Sequence, residues 1–207
     1  MSFIHILNKI PQKVCIALSG GLDSMVCLDF LIKGNKDILA LHFNHGTKDS
    51  DIYQNFVEKQ CKKLNIPLKI RKISKDIPKG RSKEDFWREQ RYIFFDEERE
   101  FRKVITCHHL DDVVETWIFS SIKSNSKLIP YSREYIIRPF ILNKKNILKE
   151  WAIKNNVKFI EDKTNYDIVF ARNYIRHNMI KDVLYINPGI HKMLKKKIVK
   201  KWRNVNV

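Results

Sequence analysis

Short apolar runs alternate with longer amphipathic stretches along most of the chain. The apolar runs cover residues 14–18, 38–43, 68–73, 104–106 and 135–140, and each is short enough to be a buried strand. The stretches between them repeat apolar residues at helical spacing, over residues 25–32, 50–64, 82–101 and 111–121. Strands and helices that alternate in this way form a parallel sheet with helices on both faces. The pattern therefore predicts an α/β fold with a parallel sheet.

Two of these helices indicate which side they bury. For the helix over residues 50–64, we expect the buried side to hold Ile52, Phe56, Cys61 and Leu64. For the helix over residues 111–121, we expect it to hold Val113, Val114, Trp117 and Ile118. Each set falls on one side of a helix with 3.6 residues per turn.

The pattern changes after residue 122. Residues 123–133 are mostly polar, contain Ser, Asn and Pro, and indicate a loop. Helical spacing returns over residues 143–155 and 172–184, and Asn187-Pro188-Gly189 indicates a stop before a last, basic helix. Ile190, Leu194 and Ile198 share one side of that helix, so they can pack while its lysines face solvent. We predict one main domain over residues 1–186 and a basic helical tail over residues 187–207.

The charge of the chain points to the kind of partner. The 207 residues include 40 Lys and Arg against 23 Asp and Glu, a net charge of +17, and 43% are hydrophobic, enough for one sizeable core. A surplus of this size favours a polyanion, without separating RNA from DNA or an acidic membrane. No leader pattern and no run of about 18 apolar residues is seen, so we expect a soluble, cytoplasmic protein.

The cysteines show no metal-binding pattern. Cys15, Cys27, Cys61 and Cys107 stand singly, without a CxxC pair for zinc or an iron–sulfur cluster. The first three lie on apolar faces, so we expect them to be buried as small hydrophobic residues. Cys107 lies beside a polar motif instead.

The most specific motif lies between a predicted strand and a predicted helix, and it reads Ser19, Gly20, Gly21, Leu22, Asp23 and Ser24. Two adjacent glycines allow a tight turn, and the helix N-terminus with two serine hydroxyls then forms a cradle for an anion. A phosphate chain is its natural ligand. The lysine of a Walker loop is missing, so a standard kinase or GTPase loop is excluded. The alternative is a polar turn without a ligand.

A second motif, His108-His109-Leu110-Asp111-Asp112 with Glu115-Thr116, also follows a strand and opens a helix. Ligands of open α/β sheets bind at this edge. Its carboxylates suit Mg²⁺ bound to phosphates, and its imidazoles suit phosphate binding or proton transfer. The alternative is that Asp111 and Asp112 only cap the helix, although an Asp cap and a metal ligand are compatible.

SGGLDS matches the PP-loop of the ATP pyrophosphatases, and four further segments resemble the tRNA(Ile)-lysidine synthetase family. HHLDDVVET is similar to its HHxDDxxET segment, residues 42–46 to its HxNHG strand end and residues 88–92 to its RxxRY helix. Residues 162–177 resemble its DxSNxDxxFxRNxIRH signature. The segments follow the family order from about residue 14 to 189, so together they are far more specific than any one motif.

The resemblance implies an enzyme that binds ATP and Mg²⁺ and joins lysine to the wobble cytidine of an isoleucine tRNA with a CAU anticodon. Cytosine O2 is first adenylated with loss of pyrophosphate, and the lysine amine then attacks C2 and expels AMP. The implied catalytic residues are Asp23, Arg88, His108, Asp112 and Arg172. Asp23 and Asp112 would lie beside the metal, Ser19 to Ser24 would bind ATP, and RNA or substrate contacts fall to His45, Arg91, Asn173, Arg176 and His177.

Several of these residues also allow a simpler role, and the chain departs from the family pattern at two places. Arg88 and Arg91 suit a solvated helix face, Arg172, Arg176 and His177 suit ordinary surface contacts, and His45 suits a packing role. Residues 121–127 replace the family's glycine-rich RGxG stretch, so we expect the loop near the base or amino-acid pocket to be built differently. The tail over residues 191–203 holds seven Lys or Arg and no acid. It either contacts RNA or is a solvated helix without an RNA role. A related tRNA thiolase and an inactive tRNA-binding relative remain rival readings.

Overall fold

A mixed but mostly parallel sheet forms the frame of the molecule. The computed structural model describes residues 3–74, 76–161 and 171–206, with side chains as far as Asn204. The strands are β1 (Lys13–Ala17), β2 (Asp37–Asn44), β3 (Leu68–Lys72), β4 (Lys103–Ile105), β5 (Ser132–Arg133) and β6 (Ile136–Ile137). They lie in the order β3-β2-β1-β4-β6-β5, and every neighbouring pair is parallel except β5 and β6. The predicted α/β fold is confirmed.

The last predicted strand is much shorter than residues 135–140. Only Ile136 and Ile137 pair with β4, because the next backbone N–H, that of Arg138, donates to the carbonyl of Tyr131 at 2.8 Å. Pro139 has no N–H to donate to the ladder. The sequence analysis also missed β5, which lies inside the predicted loop and pairs with β6 through a hairpin.

The helices between the strands agree with the predicted positions. They are α1 (Leu22–Lys33), α2 (Ser50–Lys63), α3 (Lys83–Glu98) and α4 (Leu110–Ile122). Ser82 caps α3 by accepting the N–H of Asp85 at 3.5 Å. On α4, Val113, Val114 and Ile118 are buried and Trp117 packs against the same cluster, as predicted.

The predicted buried side of α2 is partly wrong. Val57 and Cys61 are buried and Phe56 packs beside them, but Ile52 and Leu64 are 58% and 40% exposed. Leu64 lies one residue beyond the end of the helix, and Ile52 lies in its first turn. The packed side is thus set by the middle of α2, where Val57 and Phe56 contact Gly20 of the first motif.

The C-terminal part is helical but not continuous. It comprises α5 (Lys145–Lys154), α6 (Ala171–Tyr174), a π-helical turn (Ile175–Met179), α7 (Ile180–Ile186) and α8 (Ile190–Asn206). The helix predicted over residues 172–184 is therefore interrupted by the wider π turn. The side chains Ile190, Leu194 and Ile198 are buried against α4, as predicted. The boundary between residues 186 and 187 stays a prediction.

Two further predictions concern the chain as a whole. Cys15, Cys27 and Cys61 are buried, as expected, and Cys107 is half-buried. Across the described ranges, every helix is too short or too polar to span a bilayer.

Candidate functional site

Both motifs meet at the carboxyl edge of the sheet, between β1 and β4. SGGLDS joins β1 to α1, and HHLDD joins β4 to α4. The strand order runs outward in both directions from this neighbouring pair, since β2 and β3 lie on one side and β6 and β5 on the other. Such a reversal opens a crevice in which ligands of α/β sheets bind.

The glycine motif forms a pre-shaped cradle. The hydroxyl of Ser24 donates to the carbonyl of Gly21 at 3.0 Å, lies 3.1 Å from the hydroxyl of Ser19, and is the acceptor for the N–H of Gly20 at 3.2 Å. Gly20 has a φ of +91°, and a Cβ there would lie 3.2 Å from Val57, so only glycine fits. Gly21 caps α1 without a side chain, which leaves the first N–H groups of the helix for an anion.

A group of acidic and imidazole side chains lies beside the cradle. Asp23 Oδ2 is 3.8 Å from Nε2 of His109, and Asp23 Oδ1 is buried and makes no hydrogen bond among the described residues. Burial raises the pKa of Asp23, against the lowering effect of His109 and Lys145. A carboxylate with one unsatisfied buried oxygen is suited to a cation.

Asp112 has a structural role as well as a place in this group. It forms a capping box, in which its Oδ2 accepts the N–H of His109 at 2.8 Å and its own N–H donates to His109 Nδ1 at 3.3 Å. Its other oxygen lies 3.6 Å from Arg176. Burial acts to raise the pKa of Asp112, but the neighbouring imidazoles and the backbone N–H outweigh it and hold this pKa below its usual value. Asp112 therefore caps α4 through one oxygen, and its other oxygen is outside the capping box, so the cap does not exclude the predicted metal role.

The described residues supply only part of a Mg²⁺ site, and substrate phosphates and water would supply the rest. Within the described ranges, no cluster of three or more His, Cys, Asp or Glu side chains is arranged to hold a metal. Mg²⁺ commonly uses one or two carboxylates together with water and substrate phosphates. Asp23, with its unpartnered oxygen, and Asp112 meet that description.

Arg176 reaches the same cleft from the π turn. Its Nε and Nη2 donate to the two oxygens of Glu115 at 2.7 and 2.8 Å, which is a bidentate pair. Glu115 is only 3% exposed. Burial raises the pKa of Glu115, although the guanidinium of Arg176 works against that rise.

Asp111 connects three elements. One of its oxygens lies 2.8 Å from Nε2 of His191 at the start of α8, and the other accepts the backbone N–H of Lys145 on α5 at 2.7 Å. The hydrogen bonds to His191 and to that N–H outweigh burial and lower the pKa of Asp111 to about 2. Asp111 is thus a structural carboxylate that ties α8 to the second motif.

The cleft contains a large cavity and a smaller side cavity. The large one, of about 740 Å³, is lined by the cradle and by residues that include His45, Tyr53, Arg91, Lys145, Lys149, Phe159, Ile160, Arg176 and His177. The side cavity, of about 240 Å³, is lined by Ser19, Asp23, Ser24, Phe43, His45, Arg91, Tyr92, Thr106, Cys107, His108 and Asp112. The two therefore share the cradle, His45 and Arg91.

His45, Arg91 and His108 form the polar wall of the side cavity. The ring of His45 lies 5.0 Å from that of Trp87 and 5.0 Å from that of Phe43. Burial, reinforced by nearby Arg91, lowers the pKa of His45 to about 4, and burial lowers that of His108 to about 3. Both imidazoles are therefore neutral at pH 7. The packing role of His45 is real, and it also faces the cavities.

Arg88 and Arg172 stand apart from these cavities. Arg88 is exposed on α3, where its Nη2 donates to the hydroxyl of Tyr92 at 3.1 Å and lines a separate pocket. Arg172 is exposed on α6 and lines none of the cavities described above. Asn173 lies beside it on α6, and His177 lines the large cavity. The start of the fourth family segment, residues 162–170, falls outside the described residues.

Sequence reasoning missed several residues of the cleft. Lys145 Nζ lies 4.0 Å from Asp23 Oδ2, and Lys149 and Tyr53 line the large cavity. Lys145 begins α5 shortly after an apolar segment, which is only a weak sequence signal for a site residue. Tyr53 lies on α2, a helix that is predicted from periodicity alone. Residues 159–161 also reach this cavity, and Ile160 N donates to the carbonyl of Gly20 at 3.0 Å.

Comparison with known families agrees with this geometry. The family model described as a PP-loop domain matches residues 2–183. A tRNA(Ile)-lysidine synthase of Thermotoga maritima is 33% identical over 86% of this chain and 47% of its own length, and one of Persephonella marina is 37% identical over 86% and 43%. One of Francisella tularensis subsp. novicida is 30% identical over 91% and 51%. The chain spans about half the length of these curated relatives, and the resemblance seen in the sequence is confirmed.

Solved structures agree on the fold alone. The NH3-dependent NAD synthetase of Campylobacter jejuni aligns with a TM-score of 0.51 at 18% identity, over 93% of this chain and 86% of that one. A glutamine-dependent NAD+ synthetase of Acinetobacter baumannii aligns with a TM-score of 0.51 at 16% identity, over 94% and 40%.

Proposed function

Because this chain belongs to the PP-loop domain family, we propose that it is an ATP-dependent tRNA-modifying ligase that forms lysidine at the wobble cytidine of a tRNA(Ile) with a CAU anticodon. The single observation that carries the proposal is the meeting of SGGLDS and HHLDD in one crevice, with Asp23 and Asp112 between the phosphate cradle and the side cavity. The lysidine synthases that match the chain support the substrates.

ATP binds in the large cavity. The N–H groups at the start of α1 and the hydroxyls of Ser19 and Ser24 hold its phosphates. Lys145 and Lys149 line the same cavity and add cationic charge where negative charge develops during phosphoryl transfer. The apolar side chains of Phe159 and Ile160 give the wall on which a nucleoside can pack.

Asp23 and Asp112 would hold Mg²⁺ together with the phosphates, and the ion would supply positive charge opposite the pyrophosphate leaving group. Asp23 would contribute the oxygen that no described residue satisfies.

The cytosine enters the side cavity, which adjoins the cradle. Its O2 attacks the α-phosphorus of ATP, and pyrophosphate leaves. The ε-amine of lysine then attacks C2, a proton is lost from the amine, and AMP leaves with the O2 oxygen. His108 and Arg91 both line the side cavity, so we assign the uptake of that proton to His108 and the stabilisation of the developing charge to Arg91.

The lysines of α8 bind the tRNA backbone. The apolar side of the helix packs on α4, so its cationic side is fixed in direction, and the His191–Asp111 contact holds its start near the cleft. A fixed row of charges binds phosphates without reading bases. We infer that the protein is cytoplasmic, because its proposed substrate is a tRNA.

The test is incubation with ATP, Mg²⁺, isotope-labelled lysine and transcripts of tRNA(Ile) with a CAU anticodon, followed by mass spectrometry of the digested RNA. The expected result is a cytidine heavier by one lysine less water, with AMP and pyrophosphate in equal amounts. A methionine tRNA with the same anticodon is the control. Labelled sulfur in the RNA, or no AMP with any tRNA, would contradict the proposal.

A further inference from the structure

A third cavity lies between α3 and the β5–β6 hairpin, outside the ATP cleft. Its volume is about 300 Å³. Three arginines and two tyrosines line it, together with acidic residues at the rim: Arg88, Arg133, Arg138, Tyr92, Tyr135, Asp85, Glu89 and Glu134. The residues assigned above to ATP and to the cytosine lie elsewhere, except that Tyr92 also lines the side cavity.

Arg138 is the unusual member of this group. The residue is only 3% exposed. Its Nη1 donates to the carbonyl of Pro130 at 3.1 Å, while Nε makes no hydrogen bond within the described residues. Burial lowers the pKa of Arg138. A desolvated cation with an unused donor is costly, and an anion that accepts from it would offset that cost.

The acidic residues nearby do not supply that anion. Glu89 pairs with Arg81 at 2.8 Å, and Glu134 pairs with Arg133 at 3.5 Å. Arg88 lies over the ring of Tyr92 and donates to its hydroxyl. In the part of the chain that the structure describes, neither Arg88 nor Arg138 forms an ion pair with a carboxylate, and Asp85 stands exposed at the start of α3. Three arginines and three carboxylates line the pocket, and because Arg81 from outside it neutralises Glu89, one positive charge is left in excess.

The pocket lies on the same edge of the sheet as the catalytic cleft. Arg138 follows β6 directly, as the second motif follows β4, and β4 and β6 are parallel neighbours. Tyr92 separates the pocket from the side cavity and contributes to the wall of both. A chain whose base occupies the side cavity would therefore bring its backbone to this pocket.

We infer that the pocket of Arg88, Arg133 and Arg138 binds a backbone phosphate of the RNA, next to the nucleotide in the side cavity. The inference rests on the proposed function. Planar guanidinium groups bind phosphate oxygens through paired N–H donors, and the tyrosine hydroxyl adds one more donor. Because Arg133 is exposed, the pocket opens to the surface, as a backbone contact requires. Such a contact fixes the register of the RNA and leaves the reading of the base to the side cavity.

The experiment measures binding of an anticodon stem-loop RNA by fluorescence anisotropy over a range of KCl concentrations. The variants are Arg133→Gln at the surface and Arg138→Lys, which keeps the charge but loses the fork and Nε. Lys59→Gln, an exposed lysine on α2, is the matched control. We expect Arg133→Gln to lower the slope of log affinity against log salt by about 0.7 to 0.9, and Arg138→Lys to weaken binding roughly tenfold. Lys59→Gln should behave like the wild type.

A neutral-phosphate scan locates the contact. Stem-loops that each carry one methylphosphonate should show a single position at which the wild type loses affinity and the Arg133→Gln protein loses nothing further. Circular dichroism checks the fold of Arg138→Lys, and if that variant is unfolded, Arg133→Gln and the scan decide. Wild-type slopes in Arg133→Gln with no sensitive position would overturn the inference. The inference would also be overturned if the variants lost affinity for free lysine while their RNA binding stayed unchanged. The pocket would then bind the carboxylate of lysine.

The proposed function and this inference fail separately. Lysidine formed by the wild type, together with an unaltered salt slope in Arg133→Gln and an unaltered RNA affinity in Arg138→Lys, would leave the function standing and remove the phosphate site. A sensitive phosphate position without lysidine formation would do the reverse.

Discussion

The cleft at the two motifs and helix α8 use charge in opposite ways. In the cleft, a few side chains are held by hydrogen bonds at fixed places, as Asp112 is by its capping box and Glu115 by Arg176. On α8, the lysines project side by side from a helix that packs through its opposite, apolar side. Loss of one group in the cleft therefore removes a contact that no other residue makes. Loss of one lysine on α8 removes only part of the total charge that would bind the RNA.

The largest effect is expected from Asp23→Ala. It should lower formation of AMP and pyrophosphate by at least about a hundredfold, because the cradle loses the carboxylate with the unsatisfied oxygen. The fold should be intact, since Asp23 lies in a crevice. Asp112→Asn, which keeps an acceptor for the cap, should act alike, and Asp182→Ala on the exposed side of α7 is the control. Wild-type pyrophosphate release in either variant would remove that residue from the mechanism.

Arg176→Met should destabilise the protein by about 3 kcal/mol, because it leaves the carboxylate of Glu115 buried without its partner. Urea unfolding followed by circular dichroism gives the free energy of unfolding. Adding Glu115→Gln should recover part of the loss, since the unpaired charge is removed. A single variant as stable as the wild type would show that the pair contributes little to the folded state.

The cleft should also make stability depend on pH. The pKa of His45 falls from its usual value near 6.5 to about 4 on folding, so between these values the unfolded chain binds more protons than the folded one. Stability should therefore fall as pH drops through this window, by at most about 3 kcal/mol for this group. His45→Phe keeps an aromatic ring beside Trp87 and should show a smaller loss. An equal loss in both proteins would assign the pH dependence to other groups.

Replacing Lys195, Lys196, Lys200 and Lys201 with Gln should weaken tRNA binding in a graded way. Each lost phosphate contact should lower the slope of log affinity against log salt by about 0.7 to 0.9, while ATP affinity stays unchanged. The substitutions spare Ile190, Leu194 and Ile198, so the helix should remain packed. An unaltered slope would show that α8 is only a solvated helix, and Arg88, Arg91, Arg172 and Arg176 would then carry the RNA.

The smallest effect is expected from Cys107→Ser. The thiol donates to the carbonyl of Ala17 at 3.9 Å, and a side-chain hydrogen bond with Cys27, together with burial, holds the pKa of Cys107 well above its usual value. A thiol that stays protonated is a poor nucleophile, so activity should be near that of the wild type. Loss of activity together with sulfur transfer to tRNA would favour the thiolation rival.

The sequence alone determined the parallel sheet, the cradle and the buried side of α8, because each depends on local spacing. Ser19 to Ser24 lie between a strand and a helix, and Ile190, Leu194 and Ile198 recur at helical period, so no distant contact is needed to recognise them. The comparison of motifs with a known family added the reaction, which spacing does not encode.

Only the tertiary structure decided which distant residues meet. The pairing of Arg176 with Glu115 spans 61 positions and that of His191 with Asp111 spans 80, and neither leaves a periodic trace in the sequence. The π turn at Ile175–Met179 likewise has no signal in the sequence. The strand Ile136–Ile137 stops after two residues because the N–H of Arg138 bonds to Tyr131, a contact that overrides local propensity. Arg138 is a further example. An arginine is expected at the surface from the sequence alone, and only the folded structure shows that this one is buried.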